Sequence, residues 1–314
     1  MASHDGKNPP RFIYSGDNKR YHTYDFEMRR RYGAKCVKIS LDAGFSCPNS
    51  GKCIYCRDGS SSADATHDIA RQFTDASALL RRKWGADVRY IPYLQAHTNT
   101  YAPPDTLRRV YNEVIGLCGG YNIAAMSIAT RPDALGEGVL EVLRETAQKI
   151  PLTVELGLQS SNDATLERIG RGHDFACFER AVETLKAADI EVCAHIINGL
   201  PGEGEDDMLE TARALARLGV GGVKLHMLNI IAETPLAEMY ARGEVKLMTL
   251  TEYVRIVIGQ LELLPPEVYI GRVCGDSTLG GLIAPLWCRR KLEVLNEIDK
   301  QMTFAGTYQG RLCK

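Results

Sequence analysis

At 314 residues, with 45% apolar and 25% charged residues, the chain has material for one large core or two ordinary ones. Its formal net charge of −1 gives no global basic field, so charge alone does not announce nucleic-acid binding. The opening "MASHDGKNPP" lacks the apolar stretch of a signal peptide, and no apolar run reaches membrane-spanning length, so a cytoplasmic, reducing setting is expected in which ten cysteines stay free, buried or metal-bound rather than paired.

Residues 1–34 form a basic N-terminal segment: positions 1–40 hold nine Lys or Arg against four Asp or Glu, with Arg29, Arg30 and Arg31 in succession. A solvated face is the plainer reading of such a run, and a patch that steers a polyanion is the sharper one. From residue 35 short β-rich runs alternate with helical patterns. The strand candidates are "KCVKISL" (35–41), "VRYIPYL" (88–94), "NIAAMSIA" (122–129), "LTVELGL" (152–158), "IEVCAHII" (190–197) and "GGVKLHML" (221–228). Helices are predicted near 67–83, 103–117, 134–149, 163–187 and 205–218, with Asp105, Asn162 and Glu205 close to three of their starts. Beyond about 245 the alternation ends: "TLTEYVRIVIGQLELL" reads as helix, "PPEVYIGRV" as extended, and "PLWCRRKLEVLNEIDKQM" as helix again. Cys118, Cys177, Cys193 and Cys313 are scattered and are expected to pack.

Strands separated by helices specify a parallel sheet with right-handed crossovers. After nearly every strand stands a chemically marked loop: "DAGFSCPNSGKCIYC", "QAHTNTYAPP", "TRPD", "QSSND", "NGLPGEGE" and "NIIAETP". Loops of this kind converge at the C-terminal mouth of a barrel. The expected fold is therefore α/β: an incomplete (β/α)6 TIM-like barrel over 35–244, with residues 245–314 as a C-terminal α/β extension packed on it.

The first of those loops carries Cys47, Cys53 and Cys56 in the spacing C-x5-C-x2-C. Thiolates suit iron–sulfur clusters or zinc. A closed zinc site needs a fourth ligand, and no second close pair follows. Three cysteines on a cubane leave one iron open to an exogenous ligand. Gly44 and Gly51 let the loop wrap closely, and Tyr55 offers a ring beside it. Zinc completed by a distant residue such as His67, and adventitious clustering, remain alternatives on spacing alone. Elsewhere, Arg131 suits bidentate pairing with a carboxylate, and Pro132 and Asp133 suit the turn that follows. Glu155, Gly157 and Gln159 share one strand face by two-residue alternation. A carboxylate inside a barrel is costly unless paired or liganded. "NGLPGE" is no phosphate loop, because the required Lys-Ser/Thr is missing.

The cysteine loop, with an aromatic residue just before its last cysteine, resembles the radical S-adenosylmethionine (SAM) superfamily. Within it, "KISLDAGFSCPN", "YLQAHTNTYAP", "TRPD", "ELGLQSSNDATLERIGRGHDFACF", "VCAHIINGLPGE", "KLHMLNI" and "APLWC" run collinearly with the YhcC/YtqA-like branch, related to the catalytic subunit of Elongator. The departures are a shorter cysteine loop and "RVCGDST" near 272. The resemblance implies a [4Fe-4S] cluster on Cys47, Cys53 and Cys56, and SAM cleaved reductively to a deoxyadenosyl radical. It further implies SAM contacts from Tyr55, Gln95, Thr98, Asn99, Arg131, Glu155, Gln159, Asn198, Gly199 and His226, and a flavodoxin- or ferredoxin-type electron donor. Members similar to YtqA, called MnmL, are associated with converting the carboxymethylaminomethyl side chain of the tRNA wobble uridine to aminomethyl, so the resemblance implies tRNA as the partner. The basic N-terminal segment and Arg289, Arg290 and Lys291 are candidates to hold its phosphates. The competing expectations are a small-molecule substrate, as in oxygen-independent porphyrin oxidation, and a non-catalytic zinc-binding interaction protein.

Overall fold

The computed structural model describes residues 12–16, 18–57, 67–275 and 280–313. A helix α1 (Tyr24–Tyr32) precedes β1 (Cys36–Leu41), α2 (Ile69–Trp84), β2 (Arg89–Leu94), α3 (Pro104–Gly116), β3 (Met126–Thr130), α4 (Glu137–Ala147) and β4 (Leu152–Gln159). The chain continues through α5 (Asp163–Arg168), α6 (Phe175–Ala187), β5 (Glu191–Asn198), α7 (Glu205–Leu218) and β6 (Gly222–Met227). Then come β7 (Ile230–Ile231), α8 (Pro235–Ala241), α9 (Leu250–Leu263), β8 (Tyr269–Arg272), β9 (Leu282–Ala284) and α10 (Lys291–Phe304). No helix among the described residues is long and apolar enough to cross a membrane.

The main sheet is parallel throughout and runs β1-β2-β3-β4-β5-β6-β8. The incomplete α/β barrel is present, with seven strands where six were expected. The seventh comes from "PPEVYIGRV" in the C-terminal region. It docks because Gly222 opposite it has no side chain: a Cβ there would sit 2.3 Å from the Tyr269 ring, which fills that space. Strands buried on both faces read as continuous apolar runs, and Leu41, Leu94, Ile128, Val154 and Ala194 turn outward under the helices into one core. Helix starts follow the usual chemistry. The Asp68 carboxylate accepts from Arg71 N, and Thr249 and Glu252 close a reciprocal capping box on α9. Asn162 caps α5 as expected, whereas α3 begins on Pro103 with Asp105 inside its first turn.

Two expectations are corrected, and for the basic segment the plainer reading is kept. The helix predicted over 163–187 is two helices, because "IGRGHD" turns between them with Gly170 at φ 65° and Gly172 at φ 79°. The basic N-terminal segment is no free patch within its described residues. Arg29 pairs with Asp25 at 2.8 Å, Arg30 and Arg31 with the buried Glu27 at 2.7 and 2.5 Å, and Arg31 also with Glu191 at 2.6 Å. Glu191 begins β5, and Tyr269, whose ring lies 5.6 Å from the Arg31 guanidinium, begins β8, so these contacts clamp α1 across the N-terminal edge of the sheet, opposite the cysteine loop. Residues 1–11 of that segment lie outside the described residues, as do 276–279 of "RVCGDST". Finally, of the four scattered cysteines only Cys193 is buried, and Cys118 is exposed.

Candidate active site at the cysteine loop

The loop after β1 is folded by its own backbone: Ser50 N donates to Cys47 O, Lys52 N to Asn49 O and Cys56 N to Cys53 O. It is then laced to the α5–α6 turn. Ile54 N donates to Ile169 O at 3.1 Å, and the Asn49 amide donates to Gly170 O at 2.8 Å and to Cys53 Sγ at 3.0 Å. Gly170 is indispensable to this approach, since a Cβ would come within 2.2 Å of Lys52 O. Gly170→Ala is therefore expected to cost about 1–3 kcal/mol and to lower the iron bound per chain after reconstitution. Denaturant midpoints and iron assay read the two effects, and a variant as stable and as iron-loaded as wild type would contradict the packing.

Cys47, Cys53 and Cys56 line one pocket of ≈ 980 Å³, open to solvent, at the C-terminal edge of the strands. Cys53 is buried, Cys47 half-buried and Cys56 exposed. Among the described residues no three His, Cys, Asp or Glu side chains converge on a point for one metal ion. The thiols border a space instead. Tyr55, Gln95, Thr98, Arg131, Glu155 and Gln159 line the same pocket, so most of the expected residues are brought together. Four are not. Asn99 spends its amide N–H groups on Leu94 O, Ala96 O and Ala129 O, bracing the loop from behind. Asn198 is buried in a reciprocal amide pair with Gln260, at 2.9 and 2.7 Å. Gly199 borders a separate groove beside Met248, and His226 faces an inner chamber. These four were named by the resemblance, which does not show which cavity a side chain borders.

The sequence reading missed Arg171. Its Nη2 donates to Gly157 O at 2.8 Å, reaching into the pocket only because residue 157 has no Cβ, which would stand 2.8 Å from that nitrogen. The glycines around it in "IGRGH" were the available signal. Arg131 pairs bidentately with Asp133 at 2.8 and 2.7 Å and donates to Arg171 O, so Asp133 does more than shape a turn. Burial raises the Asp133 pKa, and the Arg131 bonds outweigh it and hold the group below its usual range. Arg131 Nη1 and Arg171 Nε remain buried with no hydrogen-bond partner. Two orphan guanidinium N–H groups in a wall with three thiols fit an anionic cluster and a carboxylate ligand. Two of the non-glycine residues at positive φ, His97 (60°) and Gln159 (81°), also line this pocket. Backbone strain of that kind gathers at functional sites.

Below the pocket Glu155 is a hub. Lys38 bonds one carboxylate oxygen, Lys224 bonds the other, and His195 Nε2 reaches that second oxygen at 2.7 Å. Burial pushes the Glu155 pKa up, yet Lys224, Lys38 and His195 hold it well below the usual range. Burial, with Lys224 nearby, lowers His195 to about 4, burial lowers His173 to about 4, and His226 lies well below its ordinary value for the same reason. These imidazoles are neutral in the fold and take up protons on unfolding between pH about 6.5 and 4. Stability thus falls as pH falls through that window. A urea midpoint of the cluster-free protein is expected to be lower at pH 5 than at pH 7; equal midpoints would contradict it.

Residues 44–215 match the Radical SAM superfamily, and residues 220–303 match the Radical_SAM C-terminal domain. The first match alone spans more than half of the chain, which therefore belongs to the radical SAM superfamily. It is an enzyme of that class, whose cofactors are a [4Fe-4S] cluster and SAM, and the non-catalytic zinc alternative is set aside. Within the family, the chain is 40% identical over 309 residues to the uncharacterized protein YtqA of Bacillus subtilis, across 96% of this chain and 95% of that one. It is 30% identical over 162 residues to the tRNA uridine(34) acetyltransferase of Methanocaldococcus jannaschii, across 50% of this chain and 29% of that protein. The solved structure of the archaeal Methanocaldococcus infernus Elp3, with an N-terminal deletion, superposes at a TM-score of 0.66 and 18% identity, over 88% of this chain and 64% of that one. That likeness is one of fold.

Proposed function

We propose that the chain directs radical SAM chemistry at the wobble uridine of tRNA, converting its carboxymethylaminomethyl side chain to aminomethyl. The observation that carries the site is the meeting of Cys47, Cys53 and Cys56 with Gln95, Thr98, Arg131, Gln159 and Arg171 around one pocket. The uridine is supported by the similarity of half the chain to a protein named for acting on uridine 34 of tRNA.

In this reading the three thiolates hold the cluster, and Tyr55 packs beside them. Gln95 and Thr98 orient the amine of SAM, Arg131 Nη1 and Arg171 Nε its carboxylate, and Gln159 the rest of the molecule. When bound and reduced, the cofactors supply a deoxyadenosyl radical able to take hydrogen from a methylene of the side chain. Cys56, the exposed ligand, marks the side on which a flavodoxin- or ferredoxin-type donor docks. At the other end of the chain, Arg290 is paired with Glu293 at 2.9 Å, and Arg289 and Lys291 flank it as further cations for phosphate.

The test is nucleoside mass spectrometry. tRNA from a strain lacking the gene is expected to accumulate the carboxymethylaminomethyl nucleoside, and anaerobic incubation with protein, SAM and dithionite to convert it. Unchanged wobble nucleosides in both samples would refute the tRNA reading and turn attention to small-molecule substrates.

A further inference from the structure

Inside the barrel, a cavity of ≈ 1310 Å³, open to solvent, is lined by Lys38, Tyr93, His195, Lys224, His226 and Arg272. Gln95, Ala129 and His195 belong to its wall and to that of the cysteine pocket, so the two spaces share a partition. No described residue of the chamber wall is an acid. The carboxylate that meets these lysines is Glu155, whose single charge answers two ammonium groups. Part of the balance comes from aromatic faces: Lys224 Nζ lies 4.7 Å and Lys38 Nζ 5.0 Å from the centroid of Tyr93, and Lys38 is also 5.1 Å from that of Tyr24. These rings do not cancel a charge. Burial lowers Lys224 to about 8, which still leaves it mostly protonated at neutral pH. Across the same chamber His226 Nε2 is buried without a hydrogen-bond partner. A surplus buried cation and an orphan ring nitrogen are both costly until something answers them.

We propose that this chamber is a carboxylate subsite, in which Lys38, Lys224 and His226 seat the acid group of the substrate beside the cysteine pocket. The proposal rests on the wobble-uridine reading and sharpens it. The carboxymethylaminomethyl side chain ends in a carboxylate, a monoanion that answers the charge by which Lys38 and Lys224 exceed Glu155. The aminomethyl product keeps the amine and has lost the acid, so the lysines that hold the substrate have no carboxylate to hold in the product. Recognition and release then follow from one charge balance.

Equilibrium binding to the cluster-reconstituted protein tests this with three free nucleosides: 5-carboxymethylaminomethyluridine, its methyl ester and 5-aminomethyluridine. The acid is expected to bind at least tenfold more tightly than the other two. Lys38→Met and Lys224→Met, which replace charge by apolar volume, are each expected to remove that preference while leaving SAM affinity unchanged. Should Lys224→Met fail to fold, Lys38→Met and the wild-type comparison of acid with ester decide. Equal binding of acid and ester, no binding of the acid, or a loss of SAM affinity matching the loss for the acid would each overturn the proposal. The two readings fail separately. Acid preference with unmodified tRNA would sink the wobble-uridine assignment and keep the subsite, whereas modified tRNA with acid and ester bound alike would sink the subsite alone.

Discussion

Alanine at any one of Cys47, Cys53 or Cys56 is expected to leave a folded protein that retains little iron and sulfide after reconstitution and releases no deoxyadenosine from SAM. The fold should survive because the loop is held by its backbone bonds and by Asn49, not by sulfur–sulfur contact. The thiols differ in exposure, from the buried Cys53 to the exposed Cys56, yet a cubane needs all three, so the losses should be alike. Asn49→Ala separates ligation from support. Its amide donates to Cys53 Sγ at 3.0 Å and ties the loop to Gly170, so its loss removes an outer partner and not a ligand. Such losses usually cost about 10–100-fold in metal affinity or activity, so this variant should bind iron weakly and still cleave SAM. A Cys56→Ala protein that keeps its iron and its SAM cleavage would break the assignment, and so would an Asn49→Ala protein as inert as the cysteine variants.

The loop was legible because thiolates are rare and their spacing is local. The first six strands were legible for a related reason: apolar runs buried on both faces announce themselves without knowledge of neighbours. The seventh was not, because β8 is only Tyr269–Arg272 and depends on the gap left by Gly222 in a distant strand. Arg171 was hidden in what read as one long helix, and its access to the pocket depends on a missing Cβ at Gly157, far away in sequence. Asn99 and Asn198 are a different case. Both are polar residues following strands, as cofactor contacts are, but the Asn198 amide is paired with Gln260, and the Asn99 N–H groups go to backbone carbonyls while its Oδ1 is left without a partner. Sequence pattern gave the face on which a side chain lies; only the packed structure shows whether its hydrogen bonds are already spent. Lys38 and Lys224 were passed over because a lysine within a strand ordinarily snorkels to water, whereas here Glu155 draws both inward.

Glu155→Gln is expected to destabilise the protein by about 3–5 kcal/mol at pH 7, the usual cost of removing one partner from a buried ion pair. The glutamine keeps the shape and can still hydrogen-bond, so the loss is one of charge. Lys38 and Lys224 are left facing each other with no carboxylate between them. Lys224 has a partial escape: burial and Lys38 already lower it to about 8 against the pull of Glu155, and without that pull it falls further and sheds its proton. From that lowered pKa upward the unfolded variant binds more protons than the folded one, whereas wild type does so only above about 8, so the deficit against wild type should shrink as pH rises towards that value. Adding Lys224→Met to Glu155→Gln removes one of the stranded cations and should recover a large part of the loss, a coupling that a double-mutant cycle in denaturant measures directly. A loss below about 1 kcal/mol, the range of a solvent-screened surface pair, would mean that the hub is hydrated and its charges screened. So would a deficit that does not change with pH. In either case the electrostatic account of the chamber falls with it, because the surplus positive charge that selects a carboxylate is the same charge that Glu155 holds in place.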